Sequence, residues 1–267
     1  MIAYIAGWGV LGPGLPDAET AGAILAAEGA YRDGVARAPI AAGLSPNEAR
    51  RCPATARYAL DVGQQALRAA GWDPGEVPTV LASGSGDLEI SDKNCRALAQ
   101  ASIALSPTLF HNSVHNAAGG YWGIATGSRA ATISLSAYDE SFAAGLLEAL
   151  MTLGTARRCL LIAYDLPAPG ALAAVRKVPV PFAAALALTS ERPAGPVARL
   201  SWRWGPQDLE AEAPMAEPAL EALRAANPAA RSLPLLQALS ARQPRTVSWT
   251  YPADGALRVA VAFEESR

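Results

Sequence analysis

Three short apolar runs, at residues 77–83, 131–136 and 159–164, constrain the fold more than any other feature of the chain. Each is too short for an ordinary globular helix and reads as a strand buried on both faces. Longer stretches with helical apolar spacing lie between and around them, at 45–70, 88–105 and 139–153. The last of these carries Phe142, Leu146, Leu147 and Leu150. Alternation of this kind predicts an α/β fold, a mostly parallel sheet with helices on both faces. An opening run at 2–5 adds a strand that leads into a glycine-rich turn, Gly7 to Gly14, and 18–28 is a further helix. After Leu166 the pattern changes. Proline-rich turns separate 183–189 from 197–204, short helices follow at 219–226 and 233–241, and strands at 246–251 and 257–263 flank the turn Pro252-Ala253-Asp254-Gly255. This part predicts antiparallel strands completing one edge of the sheet. The whole of 1–267 is read as a single domain.

Composition excludes several classes. Hydrophobic residues are 51% and charged residues 17% of the chain, which is incompatible with disorder throughout. Lys+Arg total 22 and Asp+Glu 24, with no basic run, so no nucleic-acid partner is expected. No apolar stretch approaches the roughly 20 residues of a membrane span. The opening residues read as a strand rather than a signal peptide, and a cytoplasmic location is the expectation. Cys52, Cys95 and Cys159 are too scattered for a disulfide framework and read as inert, buried or half-buried thiols. Gly7-x-Gly9-x-x-Gly12 matches a dinucleotide fingerprint in form, but Pro13-Gly14 stands where the helix should begin. His111 and His115 are four apart and would share a helix face, yet no third ligand lies nearby. No metal and no other cofactor is expected.

The stretch from Ser106 onward is more specific. Ser106-Pro107-x-x-Phe110-x-Asn112-x-x-x-Asn116-x-x-x-Gly120, then Gly127 and Ala131-Thr132-Ile133-Ser134, resembles the β-ketoacyl synthases of the thiolase superfamily. The opening Ile5-Ala6-Gly7-Trp8-Gly9-Val10-Leu11-Gly12-Pro13-Gly14 and the helix with Ala56, Ala59, Ala66 and Ala70-Gly71 are similar to the same family. The likeness covers residues 1–165 in family order, and 166–267 is a shortened remainder. It implies a thiolase-like half-fold. It also implies that the strand at 131–136 runs into a sharp turn bearing a nucleophilic cysteine. Counting back from Gly154 places that position at or near Ala137, and the segment reads Ser134-Leu135-Ser136-Ala137-Tyr138-Asp139-Glu140-Ser141. The family's two second-half histidines have no counterpart either, since no histidine follows His115.

Such a chain resembles the chain-length factor of aryl-polyene ketosynthase systems. The resemblance implies a non-catalytic subunit that forms a heterodimer with a full-length ketosynthase, meets acyl carrier protein through that complex, and shapes the partner's acyl tunnel in polyketide, polyene or fatty-acid-like elongation. Thr108, Leu109, Phe110, His111 and Asn112 are then the tunnel and interface residues, presented as an extended segment after Ser106-Pro107. Asn116 is structural. Leu109 and Phe110 as ordinary core is an equal reading. Asp139 and Glu140 suit a helix N-terminus. Two other functions stay open: an acyltransferase or hydrolase using Ser136 or Ser141 with His111 or His115, although no G-x-S-x-G elbow surrounds either serine, and a free-standing acyl-binding half-fold.

Overall fold

The parity of two neighbouring strands shows how the sheet is covered. In β4 (Arg158–Asp165), Leu160, Ile162 and Tyr164 join one core while Cys159, Leu161 and Ala163 join the other. In β5 (Phe182–Thr189), Ala183, Ala185 and Ala187 face the first core and Ala184, Leu186 and Leu188 the second. Strands apolar on both faces need helices on both faces, and the computed structural model, which describes residues 2–27, 31–100, 104–195, 197–206, 214–251 and 255–264, supplies them.

The remaining strands are β1 (Ile2–Leu11), β2 (Thr79–Ala82), β3 (Thr132–Leu135), β6 (Val197–Pro206), β7 (Arg245–Tyr251) and β8 (Gly255–Glu264). The helices are α1 (Ala18–Ala26), α2 (Pro46–Arg51), α3 (Ala54–Ala70), α4 (Leu88–Leu98), α5 (Pro107–His111), α6 (Ala117–Thr126), α7 (Ser141–Thr152), α8 (Leu172–Val175), α9 (Pro218–Ala226) and α10 (Leu233–Ala241). One 8-stranded sheet runs β3-β2-β4-β5-β1-β6-β8-β7. It draws β1–β4 from the first 165 residues and β5–β8 from the rest. The α/β architecture and the antiparallel C-terminal strands agree with the sequence reading. The parallel part is narrower than the alternation suggests: β2 pairs parallel with β3 and β4, and the other pairings are antiparallel. Parallel neighbours need a crossover connection, and α4–α6 between β2 and β3 and α7 between β3 and β4 supply it.

Helices α3 and α6 cover one face. On the other, α7, α1 and α10 pack, with Phe142 of α7 tilted against Trp249 of β7 at 5.4 Å between ring centres. The glycines near the start serve this packing. Gly7 and Gly9 lie inside β1 rather than in a turn, and a Cβ on them would sit 2.4 Å from the Ala66 carbonyl oxygen and 2.2 Å from that of Val62. They let α3 lie against the strand, which gives the apparent dinucleotide fingerprint a packing role. Gln65 of α3 then fixes the end of β1, accepting from the amides of Val10 and Ala18 and donating to the Val10 carbonyl.

Three expectations shift. The helix anticipated over 88–105 ends at Leu98, with 101–103 outside the described residues. The turn at Pro252-Ala253-Asp254 also falls outside them, although β7 and β8 pair antiparallel from Tyr251 and Gly255 as a hairpin requires. Cys95 is exposed, whereas Cys52 and Cys159 are buried thiols, which burial pushes up to about 11 and about 12. Among the described residues, no helix is long and apolar enough to cross a membrane.

Candidate functional site

Strand β3 stands at the edge of the sheet, and both candidate regions lie along it. At its C-terminal end the chain turns sharply. Ala137 leaves the strand conformation at φ −138°, ψ 37°, and Tyr138 enters the left-handed region at φ 54°. For a bulky residue that conformation costs about 1–2 kcal/mol, so neighbouring contacts must hold it. The hydroxyl of Ser141, at the start of α7, accepts from the Ala137 amide at 2.9 Å and donates to the Tyr138 carbonyl at 2.7 Å. The Arg176 guanidinium lies 4.0 Å above the centre of the Tyr138 ring, a stacking worth about 0.5–2 kcal/mol depending on desolvation. These contacts offset the strain.

Arg176 also donates to Ser85 Oγ at 2.8 Å and to Asp139 Oδ1 at 2.5 Å. Burial works against its charge, and the bond to Asp139 works for it. Behind it lies Asp165, the last residue of β4, which is 2% exposed. Its Oδ1 accepts from the Gly84 amide at 2.8 Å and from Ser83 Oγ at 3.3 Å, while Oδ2 and Arg176 Nη2 are buried without hydrogen-bond partners. Burial pushes the Asp165 carboxyl up to about 7, against the pull of the Gly84 amide and the Arg176 charge. Gly84 is required between them, because a Cβ there would lie 2.4 Å from Arg176 Nη2. Charged and polar groups from β4 and from the segments after β2, β3 and α8 therefore meet beside the turn.

The second region is open. A groove of about 1130 Å³ runs beside β3 between α5 and α6, lined among others by Thr108, Phe110, His111, Val114, Tyr121 and Ile124. Its apolar groups face solvent: Phe110 is 64% exposed, which excludes the core reading for that residue. Residues 108–112 are not an extended segment. Ser106 accepts from the Leu109 amide and Pro107 opens α5, so Ser-Pro here starts a helix. Thr108, Phe110 and His111 reach the groove. Leu109 is half-buried and lies off it. Asn112 is buried and donates to the Arg51 carbonyl at 2.9 Å, tying α5 to the end of α2. Asn116 precedes α6, makes no side-chain cap and lines the groove.

The serine–histidine pairings anticipated for a hydrolase do not form. Ser136 Oγ donates to the Gly84 carbonyl at 3.2 Å, Ser141 is bound to its own turn, and a His115 ring nitrogen sits 3.2 Å from the Ser83 carbonyl. Asp139 and Glu140 do precede α7, but Asp139 turns to Arg176. Arg176 and Asp165 were not picked out from the sequence. The available signal was Asp165 itself, a lone carboxylate closing the apolar run Cys159–Tyr164.

The family described as "Beta-ketoacyl synthase, N-terminal domain" matches residues 28–254. A ketosynthase in complex with its chain length factor from Xenorhabdus doucetiae is similar at 25% identity and a TM-score of 0.72, over 97% of this chain and 99% of that one. The ishigamide ketosynthase/chain length factor shares the fold at 15% identity and a TM-score of 0.67, over 98% and 99% of the two chains. So does a type II polyketide synthase acyl-carrier protein in complex with its ketosynthase bound to the hexaketide, at 13% identity, a TM-score of 0.72 and the same coverage. No curated protein sequence matches the chain.

Proposed function

Since the chain belongs to the family of β-ketoacyl synthase N-terminal domains, we propose that it is a non-catalytic, chain-length-factor-like subunit that pairs with an active ketosynthase and shapes its acyl tunnel. The observation that carries this reading is the turn after β3. Where the family's nucleophile is expected stands Ala137, and its amide is already engaged by Ser141 rather than free to receive a developing oxyanion. A catalytic turn needs a nucleophile, an adjacent base and an open donor. Neither histidine approaches this turn's serines by hydrogen bonding, and no histidine follows His115.

Pairing is supported by the other side of β3. Its inner edge pairs with β2, and its outer edge is exposed, with Ile133 39% accessible. Apolar groups rim both faces of that edge: Phe110, Val114 and Ile124 along the groove, and Met151 beside Ile133 over a second hollow of about 370 Å³. An open, apolar strand edge invites covering by another chain. The structures of similar fold include ketosynthases with their chain length factors, which supports a ketosynthase as that chain.

In this reading Phe110 is the bulky group that limits how far a growing acyl chain extends. Forcing a methylene against a packed side chain costs about 1–3 kcal/mol, enough to set a length. Co-expressed with the native ketosynthase, Phe110→Ala should move the masses of carrier-bound products upward while the complex still assembles. Leu109→Ala, off the groove, should leave the distribution in place. An intact complex whose products do not change with Phe110→Ala would remove Phe110 from the tunnel.

A further inference from the structure

One arginine stands between two carboxylates. Arg176 donates to Asp139 Oδ1 and Ser85 Oγ and lies over the Tyr138 ring. Asp165 approaches it around Gly84, where a Cβ would lie 2.4 Å from Arg176 Nη2 and 3.2 Å from Asp165 Oδ1. Yet Nη2 and Asp165 Oδ2 are both buried without hydrogen-bond partners. A bare donor and a bare acceptor thus belong to two side chains that meet at one glycine. The two acids differ in setting. The Asp139 side chain is 42% exposed, so water screens its pull, whereas a charge on buried Asp165 acts at low dielectric. The segment carrying the arginine is lightly held, since α8 buries no residue and Val175 is 72% exposed. A cleft of about 440 Å³, lined by Tyr138, Asp139, Val175, Arg176 and Lys177 among others, brings solvent to the arginine.

We infer that Asp139 and Asp165 are rival acceptors for Arg176: with a proton on Asp165 the guanidinium holds Asp139 and Tyr138, and without it the guanidinium draws in to Asp165 and releases the turn after β3. The structure has the first arrangement. When the proton leaves to solvent, an unpaired buried carboxylate is costly, and the nearest cation is Arg176. Burial holds the Asp165 carboxyl up to about 7, so the exchange falls near neutrality. It takes the cation off a ring whose backbone is left-handed, and the turn loosens as pH rises. Besides Arg176 and Asp139, the titratable groups around Asp165 are Tyr138, Tyr164, Asp87 and His115, the last against the Ser83 carbonyl. Phe182 of β5 and Asn227 after α9 also meet Asp165 and carry no charge.

Nuclear magnetic resonance on the isotopically labelled full chain reads both acids and the arginine in one titration, between about pH 5 and 9. As Asp165 loses its proton, Overhauser contacts between the Arg176 side chain and the Tyr138 ring should fall by about half or more, and the Asp139 carboxyl signal should step at the same midpoint. Asp165→Asn should hold the contacts at full strength throughout. His115→Gln, which removes another group able to titrate in that window, should leave the step in place. Asp139→Asn removes the rival and should lower the Asp165 midpoint by about one pH unit or more. Contacts that persist while Asp165 titrates overturn the inference. So does a fall that survives Asp165→Asn or disappears with His115→Gln, an Asp165 carboxyl that does not titrate in the window, or a midpoint that Asp139→Asn does not move. If Asp165→Asn does not fold, the titration of the unaltered chain decides alone. None of these readings needs a partner chain, so the exchange and the proposed subunit role fail separately.

Discussion

The two ends of β3 are surrounded in opposite ways. Beside the turn at Ala137 stand polar and charged groups that bind one another: Ser141, Tyr138, Arg176 and Asp139, with Asp165 buried behind them. Along the outer edge, the groove beside Phe110 and Ile124 is open and largely apolar. The first kind of site is exacting, because catalysis there needs a particular nucleophile and free donors. The second asks only for shape and apolar surface. The two demands are separable, so a chain of this fold can lack the first kind of site and keep the second without any change to the sheet.

The largest effect expected from breaking this contrast is at the open edge. Ile133→Glu puts a charge on a strand edge that a partner would cover. Centrally buried interface positions are worth about 2 kcal/mol or more, about 30-fold in affinity. Co-purification with the ketosynthase should be lost, while the isolated chain melts within about 0.5 kcal/mol of the unaltered one, as surface changes do. Retained assembly would place the interface elsewhere.

Two buried carboxylates, one behind the turn and one on α3, sharpen the comparison. Asp61 of α3 takes both Arg37 amino groups at 2.6 and 2.9 Å, the Ile40 amide at 2.6 Å and the Gln65 amide at 2.7 Å. Burial raises its carboxyl, and the Arg37, Ile40 and Gln65 bonds together take it below the ordinary 3.8. Asp165 has one oxygen satisfied and one bare, beside Arg176 and the like charge of Asp139, and burial takes it to about 7. The signs are opposite. Between about pH 4 and 7 the folded chain keeps a proton on Asp165 that the unfolded chain has lost, so stability falls as pH rises through that window and then levels off. Asp61 contributes stability above 3.8 that is lost as pH falls through its lowered folded value. Denaturant melts across pH should show Asp165→Asn flattening the slope between pH 4 and 7, and Asp61→Asn removing the acid-side loss. A slope unchanged by Asp165→Asn would show that its carboxyl is charged throughout.

The smallest effect is expected at Tyr138. Glycine there relieves about 1–2 kcal/mol of left-handed strain and forfeits a cation–π contact of about 0.5–2 kcal/mol. Tyr138→Gly should therefore change stability by less than about 1 kcal/mol. A loss above about 3 kcal/mol would make the ring the keystone of the turn.

Much of this was legible in the sequence because apolar periodicity reports burial. The runs at 77–83, 131–136 and 159–164 became β2, β3 and β4, and the helices with Leu60, Leu67, Phe142 and Leu146 fell where their spacing put them. Strand direction was less legible: Phe182–Thr189 lies antiparallel between β4 and β1, and nothing in a run of alanines and leucines encodes that. Glycine and proline misled where their local meaning depends on what packs nearby. Gly7 and Gly9 look like a turn until α3 is seen against them, and Ser106-Pro107 stops one element only by starting another. The turn after β3 drew notice through resemblance alone. The contact of Arg176 with that turn was not visible, since Arg176 comes from a segment after β4, at no periodic spacing from it.

Which chain carries the acyl group separates a subunit from an enzyme most directly. The reconstituted complex of this chain with its ketosynthase, given an acyl-loaded carrier protein, can be quenched and each subunit weighed intact. The prediction is an acyl adduct on the ketosynthase and none on this chain, whether alone or paired. An acyl mass on this chain, lost when Ser136 or Ser141 is replaced by alanine, would contradict it and make the protein an enzyme in its own right.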